Sequence, residues 1–192
     1  MDLYMKPLDF SDNHFKNFIE VVPPAGPDGG PLMHLLKSIS GLQTGVVIDP
    51  HPEANGFETA IRRLAQKIDA GAQFAVTQPI YDAETVDIMA QATQSMGIPV
   101  IMGILPLRTA RHADFLHQKV AGIAMPKRLR EQMHQADDTI KTGNQNAREM
   151  LAAARERFAG ACIMPPFDHY EVLEDILNLN SPPPAARDEF KL

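Results

Sequence analysis

The chain has 192 residues, a formal net charge of −6 and a hydrophobic fraction of 44%, which suits one domain with a real core. It has no run of Lys or Arg to attract a nucleic acid, no apolar stretch near the roughly 20 residues of a membrane helix, and no signal-peptide pattern at the N-terminus. We therefore expect a cytoplasmic protein with neither a nucleic-acid nor a membrane partner.

The first part of the chain contains two predicted strands and two predicted helices. The apolar run NFIEVV (17–22) predicts a strand that two prolines close, and a helix is predicted over 31–40. The β-branched run TGVVID (44–49) predicts a second strand. Residues 57–70 carry apolar side chains at the spacing of one helix face and stop at a glycine, which predicts the second helix.

The same alternation continues to the end of the chain. Strands are predicted over QFAVTQ (73–78), IPVIMGIL (98–105) and ACIMP (161–165). Helices are predicted over 82–96, 108–120, 125–135, 143–160 and 167–179. The proline-rich and charged segment 181–192 is expected to be a flexible tail, and residues 1–16 an N-terminal extension to a single domain over 17–180.

Five strands that read as continuous apolar runs, each followed by a helix, predict a parallel sheet covered by helices. The predicted class is therefore α/β. A closed eight-stranded TIM (β/α) barrel takes about 250 residues, so five units predict a partial or shortened barrel.

Cysteine and histidine usage gives no indication of a metal site. Cys162 is the only cysteine, which excludes an intrachain disulfide and a thiolate cluster. It stands in the apolar run GACIMPP, where we expect a buried structural thiol. The seven histidines lack the spacing of a zinc site, so no metal is predicted.

Ligands of parallel α/β folds bind at the carboxyl ends of the strands, so residues there are the first candidates for a site. These positions are Glu20, Asp49 with His51, Gln78 with Tyr81, 103–106, and Pro165 with Phe167. Burial of Glu20 in an apolar strand would raise its pKa and suit it to proton donation, whereas an edge strand would leave it in water; composition favours neither. The Gln78 amide suits a flat heterocycle, although a solvent-facing strand end is the more common role. Lys67 on a helix and His51 in a loop are solvated by default.

Four segments, in this order, resemble the methylenetetrahydrofolate reductase family. They are FIEVVPPAG, HPEA with QKIDAGAQFAVTQPIYD, GIPVIMGILPLRTARHADFL, and IMPPFDHYEVLEDIL. The similarity is strongest to the branch found with homocysteine methyltransferases. It implies a TIM-barrel flavoprotein that uses FAD and NAD(P)H to reduce 5,10-methylenetetrahydrofolate to 5-methyltetrahydrofolate, a step of one-carbon metabolism and methionine biosynthesis.

The motif positions carry the family's roles to individual residues. The resemblance implies an acid catalyst at Glu20. It implies contacts to FAD at His51, Glu53, Ala54 and Lys67. It implies contacts to the folate at Gln78, which matches the amide on the pterin, and at Tyr81 in the aromatic stretch that follows.

The chain departs from the family between residues 40 and 44, where an eight-unit barrel would hold about three further βα units with their own FAD and folate contacts. His169 also stands where an arginine is common. Two hypotheses remain: an active reductase, or an inactive or partner-dependent relative that acts as a folate-binding or interaction subunit. Open sheet edges predict an oligomer or a partner subunit. A corrinoid or pterin methyltransferase is a third alternative, without a corrinoid-binding signal.

Overall fold

The computed structural model describes residues 16–17, 44–51 and 56–177. The strands are β1 Lys16–Asn17, β2 Gly45–Ile48, β3 Phe74–Thr77, β4 Val100–Ile104 and β5 Gly160–Ile163. The helices are α1 Phe57–Asp69, α2 Ala83–Thr93, α3 Ala110–Lys119, α4 Lys127–Gln135, α5 Thr139–Arg157 and α6 Val172–Leu177, with a 3-10 turn at Pro166–Asp168. Within these ranges no helix has both the length and the apolar character that crossing a membrane requires.

All five strands belong to one parallel sheet with the order β1-β5-β4-β3-β2. The last strand therefore pairs with the first, as in a closed barrel. In the described part of the chain, β1 and β2 follow each other in sequence but lie at opposite ends of the sheet. The fold class is thus confirmed as α/β, in the form of a partial barrel whose opening falls where the missing units were predicted.

Alternate residues of the central strands point to opposite faces of the sheet, and both faces are buried. One face packs on the helices through strand residues that include Val46, Ala75, Met102 and Ile163. The other face carries Phe74, Val76, Ile101 and Cys162, none of which is more than 8% exposed. Burial on both faces explains why these strands read as continuous apolar runs, and it gives Cys162 the buried position that we predicted.

Helix α5 begins at Thr139, earlier than the predicted start at 143, so this boundary was wrong. The Asp138 carboxylate accepts a hydrogen bond from the backbone N–H of Lys141 and caps the helix. Gly143 lies inside the helix, where a side chain would collide with the carbonyl of Leu107. Gly143 therefore makes a packing contact with the loop after β4 and does not mark the start of the helix.

The closing helix was also placed too early. Instead of a helix from 167, the chain makes a 3-10 turn, and α6 begins only at Val172. Phe167 interrupts the turn with a left-handed backbone, φ 53° and ψ 44°.

The remaining predicted segments lie outside the described residues. These are the strand beyond Asn17, the helix over 31–40, residues 1–15 and the tail over 181–192. The domain boundaries therefore stay predictions.

Candidate functional site

The carboxyl ends of β2, β3, β4 and β5 lie side by side because the four strands are parallel neighbours. We call this edge of the sheet, with the residues that directly follow each strand, the strand mouth. His51 follows β2, Gln78 follows β3, Arg108 and His112 follow β4, and Phe167 follows β5. Two of the predicted site residues, His51 and Gln78, therefore lie on neighbouring strand ends.

Gln78 is half-buried at the end of β3. Its backbone N–H donates to the carbonyl of Ile48 at 2.9 Å, which fixes the end of β3 against the end of β2. The side-chain amide makes no hydrogen bond to any other described residue. Gln78 thus offers one acceptor and two donor hydrogens to a ligand at the strand mouth.

A buried contact between β3 and β4 holds this strand end in place. The Gly103 N–H donates to the Thr77 hydroxyl at 2.9 Å, and the Ile80 N–H donates to the Gly103 carbonyl at 3.2 Å. A side chain at Gly103 would collide with the Thr77 carbonyl oxygen, so only glycine lets the two strands approach this closely. The contact between Thr77 and Gly103 therefore fixes the end of β3, and with it the position of Gln78.

His51 carries a buried nitrogen that lacks a partner. Its backbone N–H donates to the Asp49 carboxylate at 2.7 Å, but its ring Nε2 has no hydrogen bond among the described residues. The Asp49 carboxylate lies against Gly122, so the loop between α3 and α4 reaches the end of β2. A buried polar atom without a partner is costly, so a ligand group that bonds to Nε2 would be favoured here.

Lys67 lies at the edge of β2 rather than at the strand mouth. Its ammonium donates to the Val47 carbonyl at 3.1 Å. The Ile48 carbonyl faces β3, so the preceding Val47 carbonyl faces away from β3, where no other described strand lies. Burial lowers the pKa of Lys67, and the charge of Arg63 lowers it further. Contact of Lys67 with flavin phosphates stays a prediction.

Tyr81 is 4% exposed and belongs to a second apolar cluster beneath α3 and α4. Its hydroxyl donates to the Leu105 carbonyl at 3.1 Å, and the Asn146 amide donates to the Tyr81 carbonyl at 3.1 Å. Burial raises the pKa of the Tyr81 phenol well above its ordinary value. Tyr81 has a packing role, and its contact with the folate stays a prediction.

A pair of rings completes the strand mouth on the β4 and β5 side. The ring centroids of His112 and Phe167 lie 5.3 Å apart with an interplanar angle of 56°. Burial, and secondarily the charge of Arg108, lowers the pKa of His112, so its ring is neutral near pH 7. Sequence reasoning missed His112 because its position in α3 reads as an ordinary helix residue.

Next to these rings, the Glu171 carboxylate contacts two side chains. Its carboxylate lies 2.7 Å from His169 Nδ1 and 3.7 Å from the Arg108 guanidinium. The backbone N–H of Glu171 and then the His169 ring lower the pKa of this carboxyl group. His169, for which the resemblance implied an arginine as the common residue, is therefore engaged within the chain.

Three predicted site residues lie outside the described part of the chain. They are Glu20, Glu53 and Ala54. Acid catalysis by Glu20 and the FAD contacts of the loop around Glu53 stay predictions.

Two large grooves lie away from the strand mouth. One, of about 770 Å³, runs between α4 and α5 near the start of α2, and another, of about 570 Å³, lies by the amino end of β4. Tyr81 lines the first groove, but neither groove is lined by His51, Gln78 or Phe167. Cavity size and unpartnered polar groups thus point to different places, and we favour the strand mouth because a ligand there would satisfy the His51 nitrogen.

The family model for methylenetetrahydrofolate reductase matches residues 32–157. The 5,10-methylenetetrahydrofolate reductase of Escherichia coli (strain K12) is 30% identical over 115 residues, which are 58% of this chain and 38% of that protein. Methylenetetrahydrofolate reductase 2 of Saccharomyces cerevisiae is 30% identical over 128 residues, which are 62% of this chain and 20% of that protein. The match thus spans well under half the length of either relative.

A solved structure shares the fold. It is an uncharacterized protein from Clostridium thermocellum, described as binding two copies of 5-methyl-5,6,7,8-tetrahydrofolic acid. The TM-score is 0.57 at 16% identity, over 78% of this chain and 56% of that one. With the family model covering well over half of its residues, the chain belongs to the methylenetetrahydrofolate reductase family.

Proposed function

We propose that the protein reduces 5,10-methylenetetrahydrofolate to 5-methyltetrahydrofolate with NAD(P)H and FAD, and that the folate binds at the strand mouth. The observation that carries the proposal is the half-buried Gln78 amide, which has no partner among the described residues and lies on a strand end beside His51. An amide can donate to and accept from the edge of a pterin at once. Family membership and the folate bound by the Clostridium thermocellum protein support the same ligand class.

The described residues fit a bound FAD at one position. The buried Nε2 of His51 lacks a partner, so a polar group of the cofactor would satisfy it. Lys67 would need to leave the Val47 carbonyl to contact a phosphate. When bound, FAD supplies the hydride-transfer chemistry, which protein side chains lack. We assign His51 to hold it, and Glu20 to donate a proton to the folate.

The reductase proposal is tested by turnover of the purified chain with FAD, NAD(P)H and 5,10-methylenetetrahydrofolate. Glu20→Gln removes the proposed acid, so folate-dependent turnover should fall about 10²- to 10⁴-fold, while NAD(P)H oxidation with a dye acceptor should stay near the wild-type rate. Equal loss of both activities would contradict the acid role. Absence of flavin absorbance after incubation with excess FAD and desalting would rule out the flavin-dependent reductase.

A second candidate function is a folate-binding or interaction subunit without catalysis of its own. It is favoured by the engagement of Lys67 with the edge of β2, which leaves that ammonium away from the strand mouth. Calorimetric binding of 5-methyltetrahydrofolate, in a protein that retains no flavin, would support this alternative over the reductase. Sedimentation that shows only a monomer would argue against the predicted oligomer or partner subunit.

A further inference from the structure

Phe167 has a backbone that phenylalanine rarely adopts. Among the described residues it is the one non-glycine residue with a positive φ, at 53°. The left-handed region is unfavourable for an L-residue with a bulky side chain. Strain of this kind persists where the surrounding structure imposes it, and it is concentrated at functional sites.

The strained backbone leaves the ring of Phe167 exposed to solvent. The side chain of Phe167 is 74% exposed, although β5, which ends at Ile163, is buried throughout. The His169 N–H donates to the Pro166 carbonyl at 3.1 Å and closes the turn that contains Phe167. His112, in the first turn of α3, contacts the ring from the side at a centroid distance of 5.3 Å.

We propose that Phe167 is a stacking platform for a flat aromatic group of the ligand that Gln78 binds. This assignment rests on the proposed function, because it places both residues in one folate site. Phe167 and Gln78 follow β5 and β3, which flank β4, so their strands are about 10 Å apart, within the length of a ligand with linked rings. The bound aromatic group would take the exposed area of the ring, with His112 supporting it from the side.

A purely structural role explains the ring less well. A phenylalanine that stabilises the core buries its side chain. A residue with only that role would also be expected to adopt an unstrained backbone. Phe115 is a useful contrast, since it is also exposed, at 56%, but it lies in the regular part of α3. Among the residues that the structure describes, only Phe167 combines an exposed apolar side chain with a strained backbone.

Three variants test the assignment, with 5-methyltetrahydrofolate as the probe in titration calorimetry and thermal unfolding measured in parallel. Phe167→Gly removes the ring and suits the positive φ, so affinity should fall roughly 3- to 12-fold while Tm stays the same or rises. Phe167→Tyr keeps an aromatic ring and should bind within about twofold of the wild type. Phe115→Ala is the matched control and should bind as the wild type does.

A lower affinity of Phe167→Gly for the probe, together with an unchanged or higher Tm, would support the stacking role. If wild type binds the probe and Phe167→Gly binds it equally well, or loses binding together with several degrees of Tm, the assignment to Phe167 is wrong while the proposed function stands. If wild type does not bind the probe at all, the proposed function fails and the stacking role fails with it.

Discussion

Strands β4 and β2 belong to the same sheet but differ in how their backbone edges are covered. β4 lies between β5 and β3, and all five of its residues are buried. β2 pairs only with β3 in the described part of the chain, and its residues are alternately buried and half-buried. On its other side, the Val47 carbonyl accepts a hydrogen bond from the Lys67 ammonium.

The difference shows how a partial barrel can provide hydrogen bonds to the backbone of an edge strand, which a complete barrel would pair with a neighbouring strand. From β3 to β5 every strand residue is buried, and Gly103 lies so close to the Thr77 carbonyl that a side chain would not fit. At β2 a lysine from α1 takes one backbone hydrogen bond that a neighbouring strand would otherwise supply. Lysine on an edge strand or over it also hinders pairing with another molecule.

The largest effect is expected on the fully packed side. Gly143→Ala would direct a methyl group at the Leu107 carbonyl, so we expect a loss of at least about 2 kcal/mol in the free energy of unfolding, despite the higher helix propensity of alanine. Gly97→Ala is the control: the space around Gly97 is open, and its positive φ of 72°, which helical Gly143 does not share, should cost only about 1 kcal/mol of backbone strain. Urea unfolding of both variants measures the difference. Equal losses would show that the α5 contact is not tightly packed.

A smaller effect is expected at the β2 edge. Lys67→Met keeps most of the apolar stem but removes the hydrogen bond to Val47, so the loss at neutral pH should be at most about 1 kcal/mol. The bare edge should also favour self-association, which sedimentation velocity would detect as a concentration-dependent dimer. A variant that associates no more than the wild type does would show that Lys67 does not protect this edge.

The Lys67 variant also predicts a pH dependence. Because the folded-state pKa of Lys67 lies below its ordinary value of 10.5, the folded chain releases this proton before the unfolded chain does. The stability of wild type relative to Lys67→Met should therefore rise as the pH increases toward 10.5. Burial is the main cause and Arg63 the lesser one, so the same comparison in an Arg63→Gln background should show a smaller rise. A fall with increasing pH would contradict the sign.

The sequence predicted strands β2 to β5 to within one or two residues, because β3, β4 and β5 are short apolar runs bounded by prolines, glycines or polar residues. The boundaries of α5 and α6 were wrong for reasons that no local pattern carries. Gly143 serves a contact with the distant Leu107, and Phe167 is held in a strained backbone. Tertiary packing overrides the usual meaning of a glycine or a helix-compatible residue in such places.

The sequence predicted those site residues whose position follows only from the end of a strand. Gln78 could be located at the strand mouth because it terminates an apolar strand. Tyr81, only three positions later, is buried with its hydroxyl bonded to Leu105, since the chain turns inward after β3. The pairing of His112 with Phe167 was not predictable, because it joins α3 to the segment after β5 and neither residue has a local signal for the other.

The most direct test of the account compares the two glutamines at the opposite ends of β3. Gln73, before the strand, accepts a hydrogen bond from the Thr44 N–H, whereas Gln78, after it, has an unpartnered amide at the strand mouth. Titration calorimetry with 5-methyltetrahydrofolate should show a loss of about tenfold or more in affinity for Gln78→Ala, and none for Gln73→Ala. Wild-type affinity in Gln78→Ala would contradict a folate site at the carboxyl ends of these strands.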